Sequence, residues 1–214
     1  MVSLEELFDR EGISHEHRQS IRGYLNMLRK RDEATYRHAL RVGVLASEIA
    51  RHAGIPHVTA KMLLWAGLLH DVGKSLMSRE LLSKKVKFTE TDIQDMQPHV
   101  LYGWKLLQRI YDYTAHIIVR HHQFGARPYP AELPELPRHL REKKHTIEAA
   151  ARILSLADFY DALLSREDDP LRKMLSARER RKVLIEHNPD MHDLIVKLES
   201  AGVLDFERPI AVEE

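Results

Sequence analysis

The strongest constraint on this chain is an apolar run that ends in two polar residues. Residues 62–69 read Met-Leu-Leu-Trp-Ala-Gly-Leu-Leu, and His70 and Asp71 follow at once. A helix this apolar is predicted to be buried, and polar groups at its end lose their hydration unless something compensates them. A divalent cation is the natural compensation for a buried imidazole and carboxylate. Lys74 would then hold an anionic substrate next to the metal.

Helical periodicity extends over almost the whole chain, and no alternating segment is long enough for a sheet. One helix is predicted over residues 32–53, with an apolar stripe formed by Leu40, Val44, Leu45 and Ile49. Further helices are predicted to end at Gly73 and to cover residues 112–122 and 145–165. Residues 3–6, Ser-Leu-Glu-Glu, are expected to form a capping box at the start of the first helix. The sequence therefore predicts an all-α fold, a single compact bundle of roughly nine or ten helices.

The domain organisation follows from length and composition. A chain of 214 residues suits one domain with a large core. We predict an N-terminal helical appendage over residues 1–31, the main domain over 32–204, and a poorly ordered tail over 205–214.

The composition excludes several other kinds of site and partner. The chain has 14 histidines and no cysteine, so metal ligands must be imidazoles and carboxylates. The formal net charge is +1, and no basic stripe favours nucleic acid. The longest apolar stretch is far shorter than a membrane span, and the N-terminus does not read as a signal peptide. We therefore expect a cytoplasmic protein without a membrane or nucleic-acid partner.

Candidate metal ligands are the histidines and acids that fall at helix ends or on apolar faces. Asp158 is the clearest example after the first pair, because it lies in a helix with few polar positions and needs a partner there. The full set of candidates is His38, His70, Asp71, His99, His121, His122 and Asp158.

This ordered set resembles the HD superfamily of metal-dependent phosphohydrolases. Residues 37–42 read Arg-His-Ala-Leu-Arg-Val, residues 70–74 His-Asp-Val-Gly-Lys, and residues 151–163 Ala-Arg-Ile-Leu-Ser-Leu-Ala-Asp-Phe-Tyr-Asp-Ala-Leu. The chain also has His99 and the adjacent pair His121-His122. These additional histidines resemble the pattern of the HD-GYP subgroup, whose members hydrolyse cyclic di-GMP. The resemblance covers about residues 30–165 and implies an HD-domain-like helical bundle.

The loop after the paired histidines departs from the HD-GYP pattern. That pattern has a Glu after the histidines, then Asp-Gly and Gly-Tyr-Pro. Here Gln123 replaces the Glu, the Asp is missing, and Pro128 stands at the Gly, while Tyr129-Pro130 is retained. Ala34 occupies the position of a further Glu ligand found in some members, which argues against a third metal.

The resemblance implies a division of roles among these residues. Asp71 has two oxygens and can bridge two cations that activate a water. Lys74 would stabilise charge on the phosphoryl group, although it could also be a helix-end cation, and Arg127 would bind substrate phosphate. Asp161 is expected to support a neighbour rather than bind metal. One site would use His38, His70 and Asp158, and a second His99, His121 and His122.

These observations predict a metal-dependent phosphohydrolase that cleaves a phosphoester of a nucleotide or cyclic dinucleotide. One or two divalent ions are expected, iron or manganese before nickel, zinc or magnesium. A homodimer is compatible with the sequence. The alternative is a catalytically weak HD-type signalling or interaction module.

Overall fold

The structure is a computed structural model that describes residues 2–84, 88–165, 174–208 and 211–213. The predicted all-α fold is confirmed, apart from two short strands. The α-helices are α1 Leu4–Arg10, α2 His15–Arg31, α3 Glu33–His52, α4 His57–Leu69, α5 Arg79–Leu82, α6 Glu90–Met96, α7 His99–Leu107, α8 Asp112–Ile118, α9 Lys144–Ser165, α10 Ala177–His187 and α11 His192–Ser200.

Shorter elements complete the fold. Within the described ranges, 3-10 segments cover Val72–Leu76, Arg138–Lys143 and Pro189–Met191. Strand β1, Val2–Ser3, pairs in parallel with β2, Val212–Glu213. No helix in the described part of the chain is both long and apolar enough to cross a membrane.

Helix starts follow the polar signals in the sequence. The expected capping box at the start of α1 is present, because the Ser3 hydroxyl accepts from the Glu6 N–H and the Glu6 carboxylate accepts from the Ser3 N–H. Asp32 caps α3 by accepting from the Thr35 N–H at 2.7 Å. These contacts satisfy N–H groups that have no partner within the helix.

Two glycines let α3 and α4 approach closely. A Cβ placed on Gly67 of α4 would lie 2.5 Å from the Cα of Gly43 on α3, so a side chain at Gly67 would not fit. This contact brings the backbones of the two helices together. It also places His38, on α3, beside His70, which follows α4.

The chain beyond α4 departs from the predicted helix boundaries. We expected α4 to continue to Gly73, but it ends at Leu69 and a 3-10 segment begins at Val72. A Cβ on Gly73 would lie 1.9 Å from the carbonyl oxygen of His99, so this segment packs directly on the backbone of α7. Tertiary packing therefore decides where the helix stops.

Helix α8 is also shorter than predicted. The periodicity suggested a helix from Asp112 to His122, but α8 ends at Ile118 and turns follow. On a continuous helix, His121 and His122 would point in directions about 100° apart. The end of the helix removes that restriction on the two rings.

Both ends of the chain contribute to the same core. Leu7 and Phe8 of α1 and Ile21 of α2 are fully buried in it, whereas we expected residues 1–31 to form an appendage. The division at residue 31 stays a prediction.

The first residues after Leu204 belong to the segment 205–214 that we predict as a tail, and that division stays a prediction. Phe206 is buried, and the Tyr160 hydroxyl donates to the Asp205 carbonyl and accepts from the Asp205 N–H, both at 2.8 Å. These contacts hold residues 205–206 against α9. Residues 209, 210 and 214 of the expected tail lie outside the described residues.

Candidate metal centre

The first group of predicted ligands converges where α3, α4 and α9 meet. The Nε2 atoms of His38 and His70 are 3.2 Å apart, and His70 Nε2 is 3.3 Å from Asp71 Oδ2. Asp158, on α9, places Oδ1 3.1 Å from His38 Nε2. Four side chains that are separated by up to 120 positions in the sequence therefore face one point.

A second group adjoins the first through Asp71. Nitrogen atoms of His99, His121 and His122 all lie within 4.8 Å of one another. His99 Nε2 is 3.4 Å from Asp71 Oδ1, whereas Asp71 Oδ2 faces His70. The two oxygens of one carboxylate thus face the two groups, as the bridging role predicted for Asp71 requires.

Three histidines are oriented by the same local contact. In each, the ring Nδ1–H donates to the backbone carbonyl three residues earlier. Because a carbonyl can only accept, the proton is on Nδ1 and Nε2 is left as a lone pair directed at the cluster. The pairs are His70 with Gly67 at 2.7 Å, His99 with Met96 at 2.7 Å, and His121 with Ile118 at 2.5 Å.

His38 is oriented instead by an acid on α9. Its Nδ1 lies 2.7 Å from Asp161 Oδ2. Asp161 is nearly fully buried and also accepts from Arg41 Nε at 2.7 Å and from the Ser165 hydroxyl at 2.8 Å. Asp161 therefore contacts the nitrogen of the His38 ring that faces away from the cluster. This is the supporting role that the sequence predicts for it.

Lys74 forms a close ion pair with Asp71. Its Nζ is 2.6 Å from Asp71 Oδ2, and both side chains are largely buried. Burial would raise the pKa of Asp71, but the Lys74 ammonium and the His70 ring hold that pKa well below its usual range. Asp71 is therefore ionised at neutral pH and already faces a positive charge.

The second group consists of neutral imidazoles. Burial lowers the pKa of His99 to about 3 and that of His121 to about 4, and it also lowers the pKa of His122. The pKa of His38 moves the other way: burial lowers it, but contacts with Asp158 and Asp161 outweigh burial and raise it to about 9. Neutral imidazole is the form that binds a metal.

The cluster has a surplus of hydrogen-bond acceptors. Asp71 Oδ1, His99 Nε2 and His121 Nε2 are buried and have no hydrogen-bond partner among the described residues. Buried acceptors without partners are costly, and a cation would satisfy all three. The residues therefore fit a divalent metal ion, and a set of nitrogen and oxygen donors suits iron, manganese, nickel or zinc.

The predicted substrate arginine lies at the surface. Arg127 donates to both carboxylate oxygens of Glu90 on α6, at 2.9 and 2.7 Å, and its side chain is 74% exposed. No contact with the cluster is shown, so the phosphate-binding role of Arg127 stays a prediction.

The sequence did not point to two residues that contact the cluster or the acid that supports it. Arg41 lies one turn after His38 on α3 and was available as a basic residue on the same helix face, but its partner Asp161 is 120 positions away. Tyr129 packs on His122 with ring centroids 4.4 Å apart. The retained Tyr-Pro pair was the signal for Tyr129, although it did not reveal which ring the tyrosine contacts.

Comparisons with known proteins show the family to which the chain belongs. A family model described as "HD domain" matches residues 35–163, which include all seven candidate ligands. A cyclic di-GMP phosphodiesterase of Thermotoga maritima is 30% identical over 184 residues, covering 82% of this chain and 48% of that protein. A 3'3'-cGAMP-specific phosphodiesterase 2 of Vibrio cholerae is 28% identical, covering 76% of this chain and 33% of that protein. The chain thus spans at most about half the length of these relatives.

A solved structure supports the fold. The HD domain of the L. monocytogenes phosphodiesterase PgpH, in complex with cyclic-di-AMP, aligns with a TM-score of 0.55 at 14% identity. The alignment covers 85% of this chain and 93% of that one. Because the sequence identity is only 14%, this match is evidence for the arrangement of the helices alone.

Proposed function

This chain belongs to the HD domain family, and from that premise we propose that it is a metal-dependent phosphodiesterase acting on a cyclic dinucleotide. The observation that carries the proposal is the buried cluster of unpartnered acceptors around Asp71. The names of its relatives, which are phosphodiesterases of cyclic di-GMP and 3'3'-cGAMP, support the substrate class.

Seven side chains would hold two divalent ions. Iron or manganese is our first choice for their identity. Ions bound there would supply Lewis acidity, which polarises a phosphoryl group and makes a hydroxide nucleophile available near neutral pH. We assign His38, His70, Asp71 and Asp158 to one ion and Asp71, His99, His121 and His122 to the other.

Lys74 would bind the phosphate of the substrate. Its ammonium contacts Asp71 Oδ2, so it lies beside the ligands rather than on the outer surface. A fixed positive charge in a largely water-free site stabilises the charge that develops on a phosphoryl oxygen. Neutral histidines contribute no negative charge of their own, so the loaded site would favour an anionic substrate.

The first experiment joins metal analysis to hydrolysis. Purified protein would be loaded with Mn²⁺ and assayed against cyclic di-GMP, 3'3'-cGAMP and cyclic di-AMP. We expect at least one to be cleaved. Asp71→Ala should lose metal and lower the rate by roughly 10³-fold, since it removes a ligand from both sites. Asp193→Ala is the matched control, because Asp193 is a fully exposed acid of α11.

Lys74→Gln separates metal binding from substrate binding. It should retain both ions and lower kcat by about 10²-fold, the usual effect of removing one transition-state donor. If the native protein binds two ions and cleaves none of the three compounds, the chain is instead a binding or signalling module. The altered loop at Gln123 and Pro128 is the feature that favours this second candidate.

A further inference from the structure

His122 is held differently from the other histidines of the cluster. Its ring nitrogens make no hydrogen bond to any residue that the structure describes, whereas His70, His99 and His121 each donate to a carbonyl. Its ring is instead in contact with neighbouring rings, and the two nearest are those of His121 and Tyr129. The centroid of His121 is 3.8 Å away, and that of Tyr129 is 4.4 Å away with the planes inclined by 29°.

Two hydrogen bonds connect the loop that carries Tyr129 to residues 122 and 123. The Tyr129 N–H donates to the His122 carbonyl at 3.4 Å. The Gln123 side-chain amide donates to the Pro130 carbonyl at 2.8 Å. These two bonds join the start of the loop to its end, and they hold the tyrosine ring over His122.

We propose that Tyr129, held in place by Gln123, is a positioning residue that sets the orientation of the His122 ring for the second metal ion. This inference rests on the proposed function, since it takes His122 to be a ligand of that ion. Stacking restricts rotation of an imidazole that lacks a hydrogen bond of its own, so less ordering is needed when the ion binds.

Gln123 is suited to this role by its chemistry. A glutamine amide has two N–H donors, and a carbonyl oxygen such as that of Pro130 can only accept. The resemblance noted above places a Glu at this position, and an ionised Glu has no donor. In this chain, Gln123→Glu would therefore break the loop contact while changing the side-chain volume very little.

The proposal confines the effect to one of the two ions. The first ion is held by His38 and His70, whose Nδ1 atoms contact Asp161 and the Gly67 carbonyl and do not touch the loop. Partners of metal ligands typically contribute 10- to 100-fold to affinity. Losing the stack should weaken the second ion by about that factor and leave the first unchanged.

The test is binding of Mn²⁺ to the full chain by equilibrium dialysis, with the metal content measured at each free concentration. Tyr129→Leu removes the stacking ring and should weaken the second ion 10- to 100-fold. Tyr129→Phe keeps the ring and should remain within about threefold of the native protein. Gln123→Glu should weaken the second ion about 10-fold, and it serves on its own if Tyr129→Leu does not fold.

Several outcomes would overturn the inference. One is that Tyr129→Leu binds both ions with native affinity. Another is that Tyr129→Phe and Tyr129→Leu weaken binding of the second ion equally. A third is that Tyr129→Leu weakens binding of both ions by the same factor. Hydrolysis is measured separately. Two ions in the native protein with no cleavage of any cyclic dinucleotide would contradict the proposed function alone, whereas native binding of fewer than two ions would contradict both.

Discussion

At the scale of single residues, four of the five imidazoles in the cluster are oriented by a contact on the outer side of the ring. His70, His99 and His121 use a carbonyl of their own chain segment, and His38 uses Asp161. The second nitrogen of each ring is then directed inward without any help from the metal. The protein is thus prepared for a cation before one binds.

Asp161→Asn should weaken binding of the first ion. The amide removes the negative charge behind His38 and makes that imidazole a poorer ligand, so we expect Mn²⁺ affinity to fall about 10- to 100-fold. Titration calorimetry would measure it. Asp190→Asn is the matched control, because Asp190 also pairs with two nitrogens of one arginine, Arg152, away from the cluster. Equal affinities in Asp161→Asn and the native protein would refute the role.

The ligand types were predictable from the sequence, but their partners were not. His70 and Asp71 were recognised because two polar residues end an apolar run, and Asp158 because it interrupts an apolar helix. Both signals are local. The Arg41–Asp161 pair joins α3 to α9, and nothing within either helix alone indicates that the other lies opposite.

At the scale of elements, close backbone contacts determine where the ligands lie. Because Gly67 has no Cβ, the backbone of α3 can approach it at Gly43. In the same way, the absence of a Cβ on Gly73 lets the backbone of α7 approach at His99. Both contacts are made by elements that carry predicted ligands, since α3 carries His38 and the second contact is with His99 itself. The spacing of the helices and the geometry of the cluster are therefore set by the same glycines.

Gly73→Ala should be strongly destabilising. The new Cβ would lie 1.9 Å from the His99 carbonyl oxygen and 2.5 Å from the Gly103 nitrogen. Both are backbone atoms, which cannot relieve a clash by changing rotamer as a side chain can. We expect the free energy of unfolding to fall by about 3 kcal/mol or more, measured by urea denaturation.

Gly23→Ala is the control for that substitution. Gly23 lies within α2, and a Cβ there meets nothing within 4 Å. Alanine is the better helix former, so this change should stabilise the protein by about 0.5–1 kcal/mol. A small effect of Gly73→Ala, comparable to that of Gly23→Ala, would show that the 3-10 segment does not need its close contact with α7.

Helix positions were predicted better than helix ends. Periodicity placed α3 and α9 within a residue or so because their stripes continue over many turns. The ends of α4 and α8 were wrong because packing decides them. Ile118 is followed by Val119 and Arg120, which are compatible with a helix, so the local sequence gives no stop signal there. After Leu69, the polar pair His70-Asp71 ends the apolar run, but it does not by itself end a helical pattern that could continue to Gly73.

At the scale of the whole molecule, one core joins segments that looked peripheral in the sequence. Leu7, Phe8 and Phe206 lie in the predicted appendage and tail, and they belong to the same hydrophobic core as buried residues of α3 and α9. Short apolar segments carry too little periodicity to show what they pack against. Their partners become visible only in three dimensions.

Stability of the metal-free protein should fall as the pH drops from about 6.5 towards 4. Burial lowers the pKa of His116 and His121 to about 4 and that of His99 to about 3, so the unfolded chain binds more protons over this range. Each histidine adds a slope of up to about 1.4 kcal/mol per pH unit. His38 acts oppositely: its pKa of about 9 adds stability below pH 6.5 that is lost as the pH rises through 9.

Urea unfolding of chelator-treated protein between pH 8 and pH 4.5 would measure this dependence. His116→Gln should reduce the acid-side slope, because His116 is buried on α8 outside the predicted ligand set. An unchanged slope in His116→Gln would mean that His116 becomes protonated without cost in the folded protein.

The short contact between Lys74 and Asp71 has a thermodynamic consequence for the order of binding events. A divalent ion that reaches Asp71 competes with the ammonium, and an anion that draws the ammonium away would relieve that competition. Metal and anion should therefore bind with positive cooperativity, and the coupling must be the same in both directions. Sulfate should tighten Mn²⁺ binding to the native protein and lose that effect in Lys74→Gln; an identical response in both proteins would exclude the coupling.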